Sequence, residues 1–220
     1  ELMQNLSGGN QQKVGLGREI ERTPELLIAM HPARGLDIGA TNFVQENIVK
    51  ERDRGAAVLL VSTELEEIIC AAMENVRRAR KESCGTQAKF AALDIGPLGK
   101  LLKPYGDLDF EDAVSVFADT VKLGAKYGAD LVIIETMNDS HETKAAVLAA
   151  KENCELPIFV TNVYDESGKL MTGASPEAMI AMLESLGVAA PGMNCSLGPD
   201  KMLGLVDRFT ENASVPVIVN

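Results

Sequence analysis

The sequence predicts an α/β fold built on parallel strands. Seven short apolar runs recur along its 220 residues, and several of the stretches between them repeat apolar residues at helical spacing. A third observation narrows the class. From Phe90 onward the runs end in polar residues: Asp94, Glu135, Asn162, Asn194 with Cys195, and Asn220. In a (β/α)8 barrel the reactive groups gather where the strands end, on one face. Any single polar strand end is explained by the loop that follows it. Five in succession fit that rule, and a site reading of the set stands about even with the plain loop reading.

The strands are expected at LLIAM (26–30), VLLVS (58–62), FAALDI (90–95), DLVIIE (130–135), PIFVTN (157–162), VAAPGMN (188–194) and PVIVN (216–220). Helices are expected over 110–128 and 176–187, where apolar residues return every three or four positions. Strand–helix–strand crossovers are nearly always right-handed, which sets the winding of the sheet. Gly128, Gly187 and Gly204 suit helix ends or close packing. Pro191 removes a ladder donor from its strand, so a bulge or a sheet edge is expected there. The charged stretch ENVRRARKES (74–83) reads as a solvated helix face.

A formal net charge of −11 argues against nucleic acid or an anionic membrane as partner. No apolar run approaches the ~20 residues of a membrane span, so membrane insertion is not expected. The four cysteines, Cys70, Cys84, Cys154 and Cys195, form no C-x-x-C pair. That usage fits a reducing, cytoplasmic setting without a disulfide framework. The chain opens on Glu1 rather than Met, which reads as a fragment or a processed product.

Residues 5–13, NLSGGNQQK, put a Ser-Gly-Gly turn before a helix. Free backbone N–H groups at a helix start attract phosphate, and glycine lets it approach closely. PELLIAMHPARGLDIGA (24–40) and AVLLVSTELEEII (57–69) follow. In this order the three segments resemble the second half of an ABC transporter ATP-binding cassette, nearest to the C-terminal cassette of sugar and nucleoside importers, over residues 1–69. The resemblance implies that Ser7, Gly8 and Gly9 hold the γ-phosphate of ATP bound on a second cassette. Met30-His31 stands where the family has Asp-Glu, and Thr63 where it has a histidine. His31 has no partner ligand nearby in sequence. No G-x-x-x-x-G-K-[ST] loop occurs in the 220 residues, so ATP binding in cis is not expected.

The segments at 92–114, 128–152, 161–179 and GMNCSLGP (192–199) resemble the homocysteine-binding barrel of cobalamin-dependent methionine synthase, over residues 70–220. The family holds zinc with three thiolates, and zinc makes the homocysteine thiol a nucleophile. The resemblance implies that Cys195 is one of these ligands, that Glu135 holds the substrate ammonium, and that Asp94 and Asn194 line the pocket. The adjacent Cys-Cys pair that completes the family's set does not occur here, so one of three ligands is present. Cobalamin enters only through modules that these residues lack. The resemblance implies an incomplete (β/α)8, TIM-type barrel of about five parallel strands, preceded by a βαβ segment. The reading is therefore a homocysteine S-methyltransferase module of methionine biosynthesis, incomplete and inactive as it stands. The alternative is the importer ATP-binding fragment. The two resemblances meet near residues 66–69, which implies a chimeric fusion. Single long reads of the source DNA across codons 60–75 test that; one continuous gene with both missing cysteines downstream would overturn it.

Overall fold

The computed structural model describes residues 8–195 and 197–220. The chain divides into two compact units, Glu1–Ile68 and Ile69–Asn220.

In the first unit, α1 (Gly8–Glu21), β1 (Leu26–Met30), α2 (Ile38–Asp53) and β2 (Ala57–Val61) follow in order. The strands pair in parallel, from Leu26 opposite Ala57 to Met30 opposite Val61. Asp37 caps α2, its carboxylate accepting from the Ala40 N–H at 2.8 Å. Alternation along β1 sends Leu27 and Ala29 inward, where they meet Val44 and Ile48 of α2. Leu26, Ile28 and Met30 face the other way and are exposed.

Helix α3 (Leu65–Glu82) runs across the boundary. In the second unit β3 (Ala92–Ile95), α4 (Phe110–Lys126), β4 (Leu131–Met137), α5 (Ser140–Asn153), β5 (Ile158–Asn162), α6 (Pro176–Ser185), β6 (Ala190–Met193), α7 (Pro199–Asn212) and β7 (Ile218–Val219) alternate. Among the described residues the five strands form one parallel sheet in the order β3-β4-β5-β6-β7. A spatial order that follows chain order throughout is that of a barrel wall; a doubly wound sheet reverses direction partway. The expected incomplete barrel of five parallel strands, with a βαβ segment ahead of it, is thus the architecture found.

The core lies between the strands and the helices. Val132, Ile134 and Met137 of β4 and Val160 of β5 meet Phe117 and Val121 of α4 and Ala145, Ala146 and Ala149 of α5. Alanine on α5 permits the close approach of helix and sheet. Gly124 does the same for α4, where a Cβ would overlap the Leu93 side chain. Gly128 and Gly187 have positive φ just past the caps of α4 and α6, the helix-end role expected of them. Gly204 instead lies within α7 and faces open space, so it serves neither a helix end nor close packing. Pro191 also departs from expectation. Strand β6 lies between β5 and β7 and pairs with β5 without a register shift. Pairing to β7 begins one residue later, at Gly192 opposite Ile218, so no ladder donor is required of Pro191 on that side. The bulge is elsewhere, in β4. The 74–83 stretch lies on α3 as far as Glu82 and is largely exposed, with Arg80 paired to Asp130.

Candidate functional site

The irregularity in β4 shapes the site. Its register against β5 shifts between Ile134 and Met137, so Glu135 and Thr136 together stand opposite Thr161. A bulge releases one residue from regular pairing and re-aims its neighbours. Thr136 adopts φ +62°, a left-handed conformation that a β-branched residue rarely takes. Its freed N–H donates to the Asn194 Oδ1 at 3.2 Å and, more weakly, to the Thr161 Oγ1 at 3.4 Å. Asn194 follows β6 and is buried. Its Nδ2 donates to the Thr136 Oγ1 at 2.7 Å and to the Cys195 Sγ at 3.4 Å. Cys195 is exposed, with φ +57°.

Asp94 lies on the edge strand β3, one residue before its end, between the inward-facing Leu93 and Ile95. Burial raises its carboxyl above the ordinary aspartate range, and the backbone N–H of Ile95 offsets part of that. Asp94 retains solvent contact, so the desolvation is partial. Burial likewise raises Glu135, and the negative charge of Asp94 adds to the effect. These two carboxylates therefore sense each other across β3 and β4, and a cation between them would relieve both. The structure thus brings Glu135 near Asp94, and Asn194 against Thr136 and Cys195.

Asn162, at the end of β5, does not join them. Its amide donates to the Met137 carbonyl at 3.2 Å and the Thr143 hydroxyl at 3.0 Å, fully buried between β4 and α5. Thr136, Thr161 and Asp139 were not legible as site residues. Asp139 caps α5 through the His141 N–H at 3.0 Å and accepts from the Thr172 hydroxyl at 3.2 Å, tying two loops at the strand ends. The Glu-Thr and Asn-Asp pairs in IETMND held the signal, but a bulge has no residue signature.

A zinc centre does not fit what is present. Among the described residues no three His, Cys, Asp or Glu side chains cluster as metal ligands. Cys195 is a lone thiol there; Cys154 ends α5, its Sγ donating to the Ala150 carbonyl at 3.3 Å. In the first unit, Ser7 lies outside the described residues, and Gly8 and Gly9 open α1. His31 follows β1 with φ +46° and lines a cavity of about 520 Å³ with Gln12, Leu16, Leu27 and Val44. No described helix is long and apolar enough to cross a membrane.

The homocysteine S-methyltransferase family model matches residues 16–220. The chain belongs to that family. Homocysteine methyltransferase MmuM from Escherichia coli, in its oxidized form, superposes with a TM-score of 0.60 at 17% identity, over 93% of this chain and 86% of that one. The apo form gives 0.52 at 18% identity, over 94% and 69%. At such identities the likeness concerns the fold. Curated relatives of a different kind match a shorter stretch. The guanosine import ATP-binding protein NupO of Bacillus subtilis is 62% identical over 64 residues, 29% of this chain and 12% of its own length. The nucleoside import ATP-binding protein NupA of Lactococcus lactis is 52% identical over 65 residues, 30% and 13%. The chain thus spans about an eighth of the curated relatives it matches. This homocysteine S-methyltransferase family member therefore carries a partial importer likeness, which does not favour the transport reading for the whole.

Proposed function

We propose that residues 70–220 are the homocysteine-binding module of a methyltransferase barrel, and that residues 1–69 derive from an importer ATP-binding cassette fused ahead of it. The observation that carries the binding role is the carboxylate pair. Glu135 and Asp94 are each raised by burial, and Glu135 is raised further by Asp94. A bound ammonium would stabilise the ionised form of both. Glu135 is the principal ligand of that ammonium, with Asp94 beside it. Asn194 and Cys195 mark the sulfur end of the same face. Zinc, where a family member binds it, would activate the substrate thiol for methyl transfer. One cysteine is too few to retain the metal, so these 220 residues bind homocysteine weakly and do not turn it over. ATP has no cradle in cis, and Ser7, Gly8 and Gly9 could contribute to a nucleotide site only opposite a second cassette.

Calorimetric titration with homocysteine, beside total metal content after purification, tests the reading. The expected result is millimolar binding and less than one zinc per chain. In the Glu135→Gln variant affinity falls at least tenfold, as for a lost charge-assisted contact. Binding that ignores Glu135→Gln would sink the ammonium role. Stoichiometric zinc that survives dialysis would overturn the incomplete centre.

A further inference from the structure

The link between β4 and the residue after β6 spans 58 positions and passes the end of β5. It is made by a single carboxamide. The Asn194 Oδ1 takes the Thr136 N–H, and its Nδ2 gives one hydrogen to the Thr136 Oγ1 and the other to the Cys195 Sγ. A backbone N–H can only donate, so it dictates which end of the carboxamide turns towards it. The Thr136 hydroxyl then holds one Nδ2 hydrogen and leaves the other aimed at the sulfur. Both ends of this chain of contacts, Thr136 and Cys195, are in left-handed conformations. Such conformations are strained for side chains with a Cβ and persist where their surroundings hold them. The 97%-buried Asn194 touches both, beside the Thr161 hydroxyl at Thr136 and the Leu197 N–H that donates to the Cys195 carbonyl.

We infer that Thr136 is a positioning residue for Cys195: through Asn194 it fixes the direction in which the sulfur is presented at the strand ends. Its hydroxyl is the controlling group, because the backbone contact survives a change to valine or alanine and the Nδ2 contact does not. Without that acceptor, the carboxamide can turn and the sulfur loses its single orientation. The inference rests on the reading of Cys195 as the reactive sulfur of this face, and it needs no metal.

The test is alkylation of the intact chain by iodoacetamide, with Cys195 and the exposed Cys84 quantified separately by mass spectrometry from pH 7 to 9. Cys84 is the internal reference, because it is also exposed. Half-buried Cys154 reports loss of the fold. In the parent chain the Cys195 to Cys84 rate ratio is expected to differ from unity at least threefold. Thr136→Val should move that ratio threefold or more towards unity at every pH, which separates orientation from ionisation. Thr136→Ser, which keeps the acceptor, should restore it. Thr136→Ala removes the same acceptor with less bulk and decides the matter if the valine variant exposes Cys154. A parent ratio near one would overturn the reading of Cys195 itself. A distinct parent ratio that neither Thr136→Val nor Thr136→Ala changes, or that Thr136→Ser fails to restore, would overturn the role of Thr136 alone.

Discussion

The two units differ in how much apolar surface they bury. The first carries a four-residue apolar cluster, Leu27, Ala29, Val44 and Ile48, beneath a two-stranded sheet. The other face of that sheet leaves Leu26 56%, Ile28 55% and Leu59 52% exposed. The second unit buries thirty-one apolar residues in one cluster among the described residues. Folding is driven by covering apolar surface, so the larger cluster gives the second unit the larger driving force. The family match begins at residue 16 and so includes β1-α2-β2, which has the same alternation and parallel pairing as the strands of the second unit.

The largest effects should come from cutting into the two cores. Phe117 on α4 is 1% exposed, and Phe117→Ala should cost about 3–5 kcal/mol from the lost transfer energy and the cavity left behind. Val44 on α2 is equally buried, and Val44→Ala should cost about 2 kcal/mol. Amide hydrogen exchange separates them. Val44→Ala should speed exchange in α1 and α2 while α4 and α5 keep their protection; Phe117→Ala should speed α4 and α5. If Val44→Ala loosened both units together, the contrast between them would fail.

A smaller effect tests the second unit at its site-facing end. Glu142, in the first turn of α5, is 3% exposed, and its Oε1 accepts from the Leu98 N–H at 2.6 Å. Burial raises its carboxyl, the Leu98 contact lowers it in part, and Asp139 raises it again. The net direction is upward, so the folded chain takes up this proton more readily than the unfolded one. Stability is therefore fully present below the unfolded value and falls as pH rises to the folded value. Glutamine is neutral and can still accept from Leu98. Glu142→Gln should match the parent near pH 4 and melt about 2 °C higher at pH 8. A lower melting point at pH 8 would mean that the ionised carboxylate is favoured where it stands.

How much of this was legible follows from which signals are local. Apolar runs and helical periodicity are local, and all seven strands were legible within a few residues, including the short 218–219 pair. The barrel arc was legible through the motif resemblance, because alternating βα units alone suit a doubly wound sheet as well. The bulge at Glu135–Thr136 was not, because the run DLVIIE continues the strand pattern without a break. Pro191 misled for a related reason: a proline is read from its own strand, while its tolerance depends on where the neighbouring strand begins to pair. Asn162 misled because a strand-end amide can turn towards the helix layer or towards the mouth, and the choice depends on Thr143, nineteen positions earlier. Asp94, Glu135, Asn194 and Cys195 could be singled out as polar strand ends and by motif resemblance; the Thr136 link between two of those strands has no counterpart in a linear pattern.

The smallest effect concerns an ion pair, and it sharpens the contrast in span. In the first unit Arg54 pairs with Glu51, three positions away, at 2.6 Å. In the second, Arg208 grips Glu177 from thirty-one positions away, Nε to Oε1 at 2.6 Å and a second guanidinium nitrogen to Oε2 at 2.7 Å, joining α7 to α6. Hydrogen bonds from Arg208, then from Ser175 and the Glu177 backbone, hold the Glu177 carboxyl down to about 2. A depressed carboxylate contributes stability that is present above the unfolded value and is lost as pH falls through the folded one. Both side chains are partly in solvent, at 34% and 42% exposure, so screening limits the contribution to about 1 kcal/mol or less. Glu177→Gln should therefore lie slightly below the parent in stability from pH 5 to 7 and converge with it near pH 2. The gap at neutral pH should shrink in 1 M salt. A gap that persists unchanged at pH 2 would show that Glu177 acts through packing of α6 on α7, with its charge incidental.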